Sequence, residues 1–232
     1  MSTKVFKQLS DTEHVLHRSA RYIGSITSTK ASRFYLVDGV IKYGEIEYVP
    51  ALLKLIREIV DNSIDNAIDN NFKYGNKISI TISKDKIIVQ DNGTGIPVKL
   101  AKDSKGNNLP ELIPTLAWCS LRAGSNFEDK EDNTTMGQNG EGAVLANIFS
   151  TLFIGETCDG TTKYKLVCKD NLSSKEVSTT KGKKRFTRVT FKPDLKRMNL
   201  DEISPLYMDL LEFDLLFLQK TYPKINFIFK RV

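Results

Sequence analysis

The sequence predicts an α+β fold built on a largely antiparallel sheet. Three observations predict it. A long amphipathic helix spans residues 50–69, a β-hairpin over 77–91 follows it directly, and further strands follow residue 150 with only short helical stretches before about residue 200. In the helix, Pro50 suits the first turn, where its missing N–H costs nothing. Leu52, Leu53, Ile56, Ile59, Val60, Ile64, Ala67 and Ile68 recur at helical spacing and form one broad apolar face, which is core.

The opposite face of that helix carries Glu58, Asp61, Asn62 and Asp65, which the helical repeat gathers within two turns. Like charges three and four residues apart repel by a few tenths of a kcal/mol per pair, and acids late in a helix oppose its dipole. A bound cation or a proton-transfer role relieves both effects; a merely exposed acidic face is the plain alternative.

Length and composition bound the rest. The 232 residues are 40% hydrophobic and 27% charged, ordinary for a soluble globular chain of one large domain or two small ones. No apolar run reaches membrane-span length, and Met1 to Gln8 lack the apolar core of a signal peptide, so the expectation is an intracellular protein with no membrane partner. Cys119, Cys158 and Cys168 are odd in number and lack Cys-x-x-Cys spacing, and the histidines are only His14 and His17, which argues against a disulfide framework or a zinc site. The net charge of +6 is compatible with a nucleic-acid partner and decides nothing by itself.

From the N-terminus, residues 1–20 read as a polar arm closed by Arg21-Tyr-Ile-Gly24-Ser25. Phe34 to Val40 and Ile41 to Val49 read as strands about the Asp38-Gly39 turn pair. After the central helix, Lys77 to Ser83 alternates strictly, and Lys84-Asp85 turns it into a second strand from Lys86 to Asp91. That strand runs into Asp91-Asn-Gly93-Thr94-Gly95-Ile96-Pro97, a loop whose backbone must approach something closely. A short helix is expected from Pro110 to Leu121, then a long polar loop that ends in Gly137-Gln138-Asn139-Gly140-Glu141-Gly142. The following helix, from Ala143 to Phe149, presents free N–H groups and a positive dipole end to an anion. Strands are expected at 151–154, 164–168, 186–191 and 224–229, a charged loop at 169–185, and a helix from about 200 to 220.

An acidic helix face, a strand-end Asp beside a close glycine loop, and a glycine-rich helix start together suit one ligand, Mg-ATP. An Asp carboxylate accepts from the adenine amino group and repels the guanine carbonyl oxygen. Here the sequence resembles the GHKL ATPases, and within them the ATPase domain of type II DNA topoisomerases. Arg57-Glu58-Ile-Val-Asp61-Asn62-Ser63-Ile-Asp65 resembles the family's helix motif; the resemblance implies that Glu58 activates the attacking water, Asn62 ligates magnesium, and Asp61 and Asp65 support the site. The same resemblance makes Asp91, with Gly95 and Ile96, the adenine motif, and Gly137, Gln138, Asn139, Gly140 and Gly142 the phosphate motif. It makes Thr187 the threonine that supports the adenine contact, and Ser125 and Asn126 the ribose contacts. Tyr22-Ile-Gly24 matches the family's leading motif, and Tyr48-Val-Pro-Ala-Leu-Leu-Lys-Leu-Ile with Asp61-Asn-Ser resembles the T-even bacteriophage branch. Thr94 and Glu141 depart from the pattern, the first replacing a frequent basic residue and the second placing an acid in the phosphate loop.

The resemblance implies a two-layer α/β sandwich: a mixed, largely antiparallel sheet with helices on one face and ATP between the helix layer and a lid at about 98–142. It divides the chain into an arm and leading segment at 1–25 and an ATP-binding domain at 26–232. The family's transducer domain, with a lysine for the terminal phosphate, is expected to begin where this sequence stops, so the chain reads as a fragment that binds ATP with little turnover. The implied role is an ATP-gated clamp that forms a homodimer and couples DNA passage to nucleotide, with a DNA-cleavage subunit or domain as partner. The implied location is cytoplasmic, in the host cytoplasm if viral, and at the nucleoid through DNA. Lys181, Lys183, Lys184, Arg185 and Arg188 read as a solvated loop, with captured DNA as the sharper reading. The alternatives are another clamp of this ATPase type, from mismatch repair or chaperones, and a non-catalytic nucleotide-sensing module.

Overall fold

The computed structural model describes residues 8–121 and 140–232. It opens with two short helices, α1 (Asp11–His17) and α2 (Ser19–Ile23). Ser10 caps α1 reciprocally: its hydroxyl accepts from Glu13 N at 3.2 Å, and the Glu13 carboxylate accepts from Ser10 N at 2.8 Å. Val15 and Ile23 are fully buried, so from Ser10 onward the stretch expected as a polar arm is helical and anchored in the core.

Strands β1 (Thr29–Val37) and β2 (Val40–Tyr48) form a separate antiparallel hairpin. Asp38 and Gly39 both take positive φ at the turn, as a two-residue hairpin with right-handed strand twist requires. Helix α3 (Pro50–Asp69) follows the bounds expected from its sequence. Ala51, Leu52, Leu55, Ile56, Val60, Ile64 and Ala67 are fully buried along it, and burying each of the larger side chains contributes about 1.5–3 kcal/mol. The helix is fixed at its start by Tyr207, whose hydroxyl accepts from Val49 N at 2.8 Å.

The hairpin β3 (Lys77–Ile82) and β4 (Ile87–Asp91) comes next, then a small hairpin of β5 (Leu100–Lys102) and β6 (Asn108–Leu112), and helix α4 (Ile113–Cys119). The expected helix from Pro110 therefore begins three residues later, because Pro110 belongs to β6. After residue 140 come α5 (Gly142–Ile148), β7 (Ser150–Cys158), β8 (Thr162–Lys169), β9 (Ser174–Lys181) and β10 (Phe186–Pro193). A 3-10 turn (Leu195–Met198), α6 (Pro205–Thr221) and β11 (Asn226–Arg231) complete the chain.

Among the described residues, seven strands form one mixed sheet in the order β11-β3-β4-β10-β7-β8-β9, parallel only between β11 and β3. Its inward residues alternate, with Ile78, Ile80, Ile82, Val89, Phe153, Val189 and Phe191 buried in the same cluster as α3, α5 and α6. Helix layer and sheet thus form the two-layer arrangement expected from the sequence. β9 replaces most of the expected charged loop: every residue of it is exposed, and Lys175 and Lys181 mark it as a solvated edge strand.

Because β10 lies between β4 and β7, Thr187 is in register with Asp91 on one side and Thr157 on the other. Chain-distant residues meet there at one end of the sheet. A Tyr207→Phe variant leaves the buried Val49 N–H unpaired and is expected to lose about 1–3 kcal/mol of stability. Urea unfolding checks this through a lower midpoint at unchanged slope.

Candidate functional site

Asp91 ends β4 with its side chain turned toward α3, and it is only 4% exposed. One carboxylate oxygen accepts from Gly93 N at 2.8 Å and the other from Ser63 Oγ at 3.0 Å. Burial pushes its pKa up to about 6, against the lowering effect of those hydrogen bonds. The group is therefore mainly ionised at neutral pH and retains acceptor capacity beyond the two bonds it makes.

The glycine loop after Asp91 is stitched down on both sides. Asn66 of α3 clasps Thr94 twice, accepting from Thr94 N at 3.2 Å and donating to Thr94 Oγ1 at 3.1 Å. A Cβ at Gly93 would overlap the Asn66 and Asp91 side-chain oxygens. Gly95 has φ +73°, and a Cβ there would enter the Cys158 carbonyl. Ile96 N donates to Thr157 Oγ1 at 2.8 Å, and Val98 N to Asp159 Oδ2 at 3.0 Å. Thr157 is fully buried, donates to Phe186 O at 3.1 Å and lies 3.4 Å from Thr187 Oγ1. Thr187 thus stands in a hydroxyl pair beside Asp91. Arg185 donates to the Thr94 carbonyl at 3.3 Å, and Arg188 pairs with Glu156, so two of the five basic residues are engaged locally.

The polar face of α3 is less uniform than its sequence implies. Lys54 donates to Glu58 at 2.7 Å and Arg57 to Asp61 at 3.3 Å, each cation one turn before its acid. Arg57 also reaches Asp214 of α6 at 3.2 Å. Glu58 and Asp61 therefore each have a cation at i−4, which relieves part of the repulsion along this face. Burial pushes the Asp61 pKa up to about 6, with Arg57 opposing the rise and Glu58 and Asp65 adding to it. Asp65 is buried at 8% exposure, whereas Asn62 is exposed one turn beyond Glu58.

Helix α5 begins directly on Glu58: a Cβ at Gly142 would overlap the Glu58 carboxylate. Gly140 takes φ +62° just before it. Glu141 lines a cleft of about 620 Å³ together with Asp11, His14, Arg21 and Tyr22. Ser125, Asn126, Gly137, Gln138 and Asn139 lie outside the described residues. Among the described residues no three His, Cys, Asp or Glu side chains are grouped to hold a metal. A magnesium ion that keeps its waters and binds through phosphate needs no such group, and the exposed amide of Asn62 beside Glu58 fits that minimal donor set.

The sequence does not single out three residues of this geometry, Ser63, Asn66 and Thr157. Ser63 and Asn66 lie inside or just past the quoted helix motif, one and two turns from Glu58 on the side facing the glycine loop. Nothing in the local sequence marks Thr157.

A family model described as histidine kinase-, DNA gyrase B-, and HSP90-like ATPase matches residues 51–197. The DNA topoisomerase large subunit of Enterobacteria phage T4 is 41% identical over 223 residues, covering 96% of this chain and 42% of that protein. DNA topoisomerase 2 of Arabidopsis thaliana is 38% identical over 206 residues, covering 86% of this chain and 14% of that protein. The chain thus spans less than half the length of these curated relatives. Among solved structures, the ATPase region of Saccharomyces cerevisiae topoisomerase II gives a TM-score of 0.85 at 26% identity, covering 100% of this chain and 64% of that one. The ATPase and transducer domains of DNA topoisomerase II from Balamuthia mandrillaris give 0.86 at 26% identity, covering 99% and 60%. The family match runs from the first turn of α3 through the glycine loop and β10, well over half of the residues, and the chain belongs to the histidine kinase-, DNA gyrase B- and HSP90-like ATPases.

Proposed function

We propose that this chain is the ATP-binding part of a type II DNA topoisomerase, acting as a nucleotide-gated clamp. The observation that carries the nucleotide reading is the buried Asp91 carboxylate, held by Ser63 and Gly93 beneath a loop that tolerates no side chain at Gly93 or Gly95. In this reading Asp91 accepts from the adenine amino group, and the Thr157 and Thr187 hydroxyls beside it support that contact. Gly95 and Ile96 bring backbone against the base. Glu58, steadied by Lys54, takes the proton of the attacking water. The Asn62 amide oxygen would hold magnesium, which when bound neutralises phosphate charge.

Gly142 sets the first turn of α5 against Glu58, which supports the reading that the free N–H groups of that turn serve the phosphates beside the general base. Gly137, Gln138, Asn139 and Gly140 are assigned to the same phosphate loop, and Ser125 and Asn126 to the ribose, on sequence resemblance. DNA as substrate, an ATP-dependent homodimer, a cleavage partner, a cytoplasmic setting and a transducer lysine belong to the proposed whole enzyme and rest on the relatives' names and the resemblance.

The deciding experiment is a melt with magnesium and a non-hydrolysable ATP analogue, against the GTP analogue at equal concentration. At a hundredfold over the dissociation constant the ATP analogue adds about 2.7 kcal/mol, a rise of roughly 5–10 °C. A cooperative melt unmoved by the ATP analogue, or moved equally by both, overturns the reading. Asp91→Asn keeps an acceptor for Gly93 N and offers its amide to Ser63, so it should fold with an unliganded melting temperature at or above wild type. The analogue-induced rise should be lost.

The pH dependence has opposite signs with and without ligand. Folding raises the Asp91 and Asp61 pKa values from 3.8 to about 6, so the folded chain holds protons that the unfolded chain releases. Unliganded stability should therefore increase as pH falls from 7 toward 5, by at most about 1.4 kcal/mol per group for each pH unit inside the window. ATP-analogue affinity should fall below about pH 6 as Asp91 loses its charge. Parallel melts and titrations between pH 5 and 8 check both arms.

Glu58→Gln should retain the analogue-induced rise. In a chain extended through the lysine-bearing domain, it should lower steady-state ATP hydrolysis roughly 10²–10⁴-fold.

A further inference from the structure

Cys119 closes α4, and Cys168, 49 positions later, is one residue from the end of β8, yet their Sγ atoms lie 3.9 Å apart. A disulfide needs about 2.05 Å between sulfurs. Closing the remaining gap requires side-chain rotation at Cys119, the last residue of α4. The surrounding packing holds the pair in register: the Thr115 and Tyr164 hydroxyls, each four residues earlier, are 2.7 Å apart. Trp118 packs on Tyr164 with ring centroids 6.0 Å apart. Asn147 of α5 donates to the Trp118 carbonyl at 2.8 Å and reaches Cys119 Sγ at 3.8 Å. Cys119 is half-buried and Cys168 is 1% exposed, so large reagents are kept from the inner sulfur while a small one can enter beside the outer. Cys158 is equally buried and provides an internal control.

We propose that Cys119 and Cys168 form an oxidisable dithiol, a modification site at which a small hydroperoxide closes an intramolecular disulfide. The Cys168 thiolate attacks the distal oxygen of the peroxide, the O–O bond breaks, and hydroxide (from hydrogen peroxide) leaves, giving Cys168 sulfenic acid. Cys119 sulfur then attacks the Cys168 sulfur; the S–O bond breaks, and the sulfenic oxygen leaves as water with the Cys119 proton. Two electrons pass from the dithiol to the peroxide. The Cys119 S–H donating to it holds the Cys168 thiol below its ordinary pKa against burial, which suits it to the first step. The inference is independent of the nucleotide reading.

The test treats the reduced protein with hydrogen peroxide, quenches it, alkylates free thiols in denaturant, and maps peptides by mass. The expected result is loss of two of the three alkylatable thiols, a Cys119–Cys168 cross-linked peptide, Cys158 still free, and full recovery on adding dithiothreitol. Three free thiols, a cross-link through Cys158, or Cys119 oxidised to acids without a cross-link overturns the proposal. In Cys119→Ser the sulfenic acid should persist on Cys168 and be trapped by dimedone added together with denaturant, which exposes the inner sulfur. In Cys168→Ser, Cys119 should give no adduct; an adduct there instead would show that the outer sulfur reacts first and overturn the assigned order.

Discussion

A carboxylate buried at the end of a central strand is the constraint on which the rest of this structure depends. An ionised acid taken from water without partners costs several kcal/mol or gives up its charge. Asp91 keeps its charge at neutral pH because Ser63 and Gly93 each bring a hydrogen to one of its oxygens. That requirement fixes α3 over β4 at this end of the sheet. It also fixes the loop: the backbone must return under Asp91 at once, past Asn66, which leaves no volume for a side chain at Gly93. The insertion of β10 between β4 and β7 then supplies the Thr157 and Thr187 hydroxyls from strands distant in sequence.

Helix α3 joins the core to this chemistry. Its apolar side anchors the sheet, and its polar side holds Glu58 and Asp61 by cations from the preceding turn, a pairing worth a few tenths of a kcal/mol on an exposed helix. Arg57 does more than neutralise: by reaching Asp214 it also ties α3 to α6, which in turn holds the start of α3 through Tyr207. Two links, one at each end of the first half of α3, fix its rotation about its own axis. That rotation decides whether Glu58 or a neighbour faces the first turn of α5.

What was legible in the sequence follows from where one face is buried and the other is not. α3 and the 77–91 hairpin were legible to within a residue or two because their alternation survives in the folded structure, and the fold class followed from them. β9 was not, since an edge strand exposed on both faces has no apolar period to detect. The helical N-terminus did carry a signal, the Ser10-Asp-Thr-Glu13 capping box, but Val15 and Ile23 are too few to show a period. In the candidate site, residues that act through a strand end and a glycine loop had compact local signatures. Thr157, the Arg57–Asp214 pair and the Cys119–Cys168 contact did not, because each is created by strand order or helix packing over tens of residues.

The site also sets a limit on how stable the unliganded fold can be. Asp61 and Asp91, two acids whose ionisation folding opposes, lie at the polar boundary of α3, where burial raises each pKa. In a domain of ordinary stability, about 5–15 kcal/mol in total, two such acids are a sizeable debit at neutral pH. A base that donates to Asp91 offsets part of it, since the carboxylate gains a hydrogen bond in place of the water that burial removed. Selectivity for the ligand and instability without it then share one physical origin. If a base donates to Asp91 as proposed, its binding is coupled to the order of α3 and its neighbours even where no residue changes position.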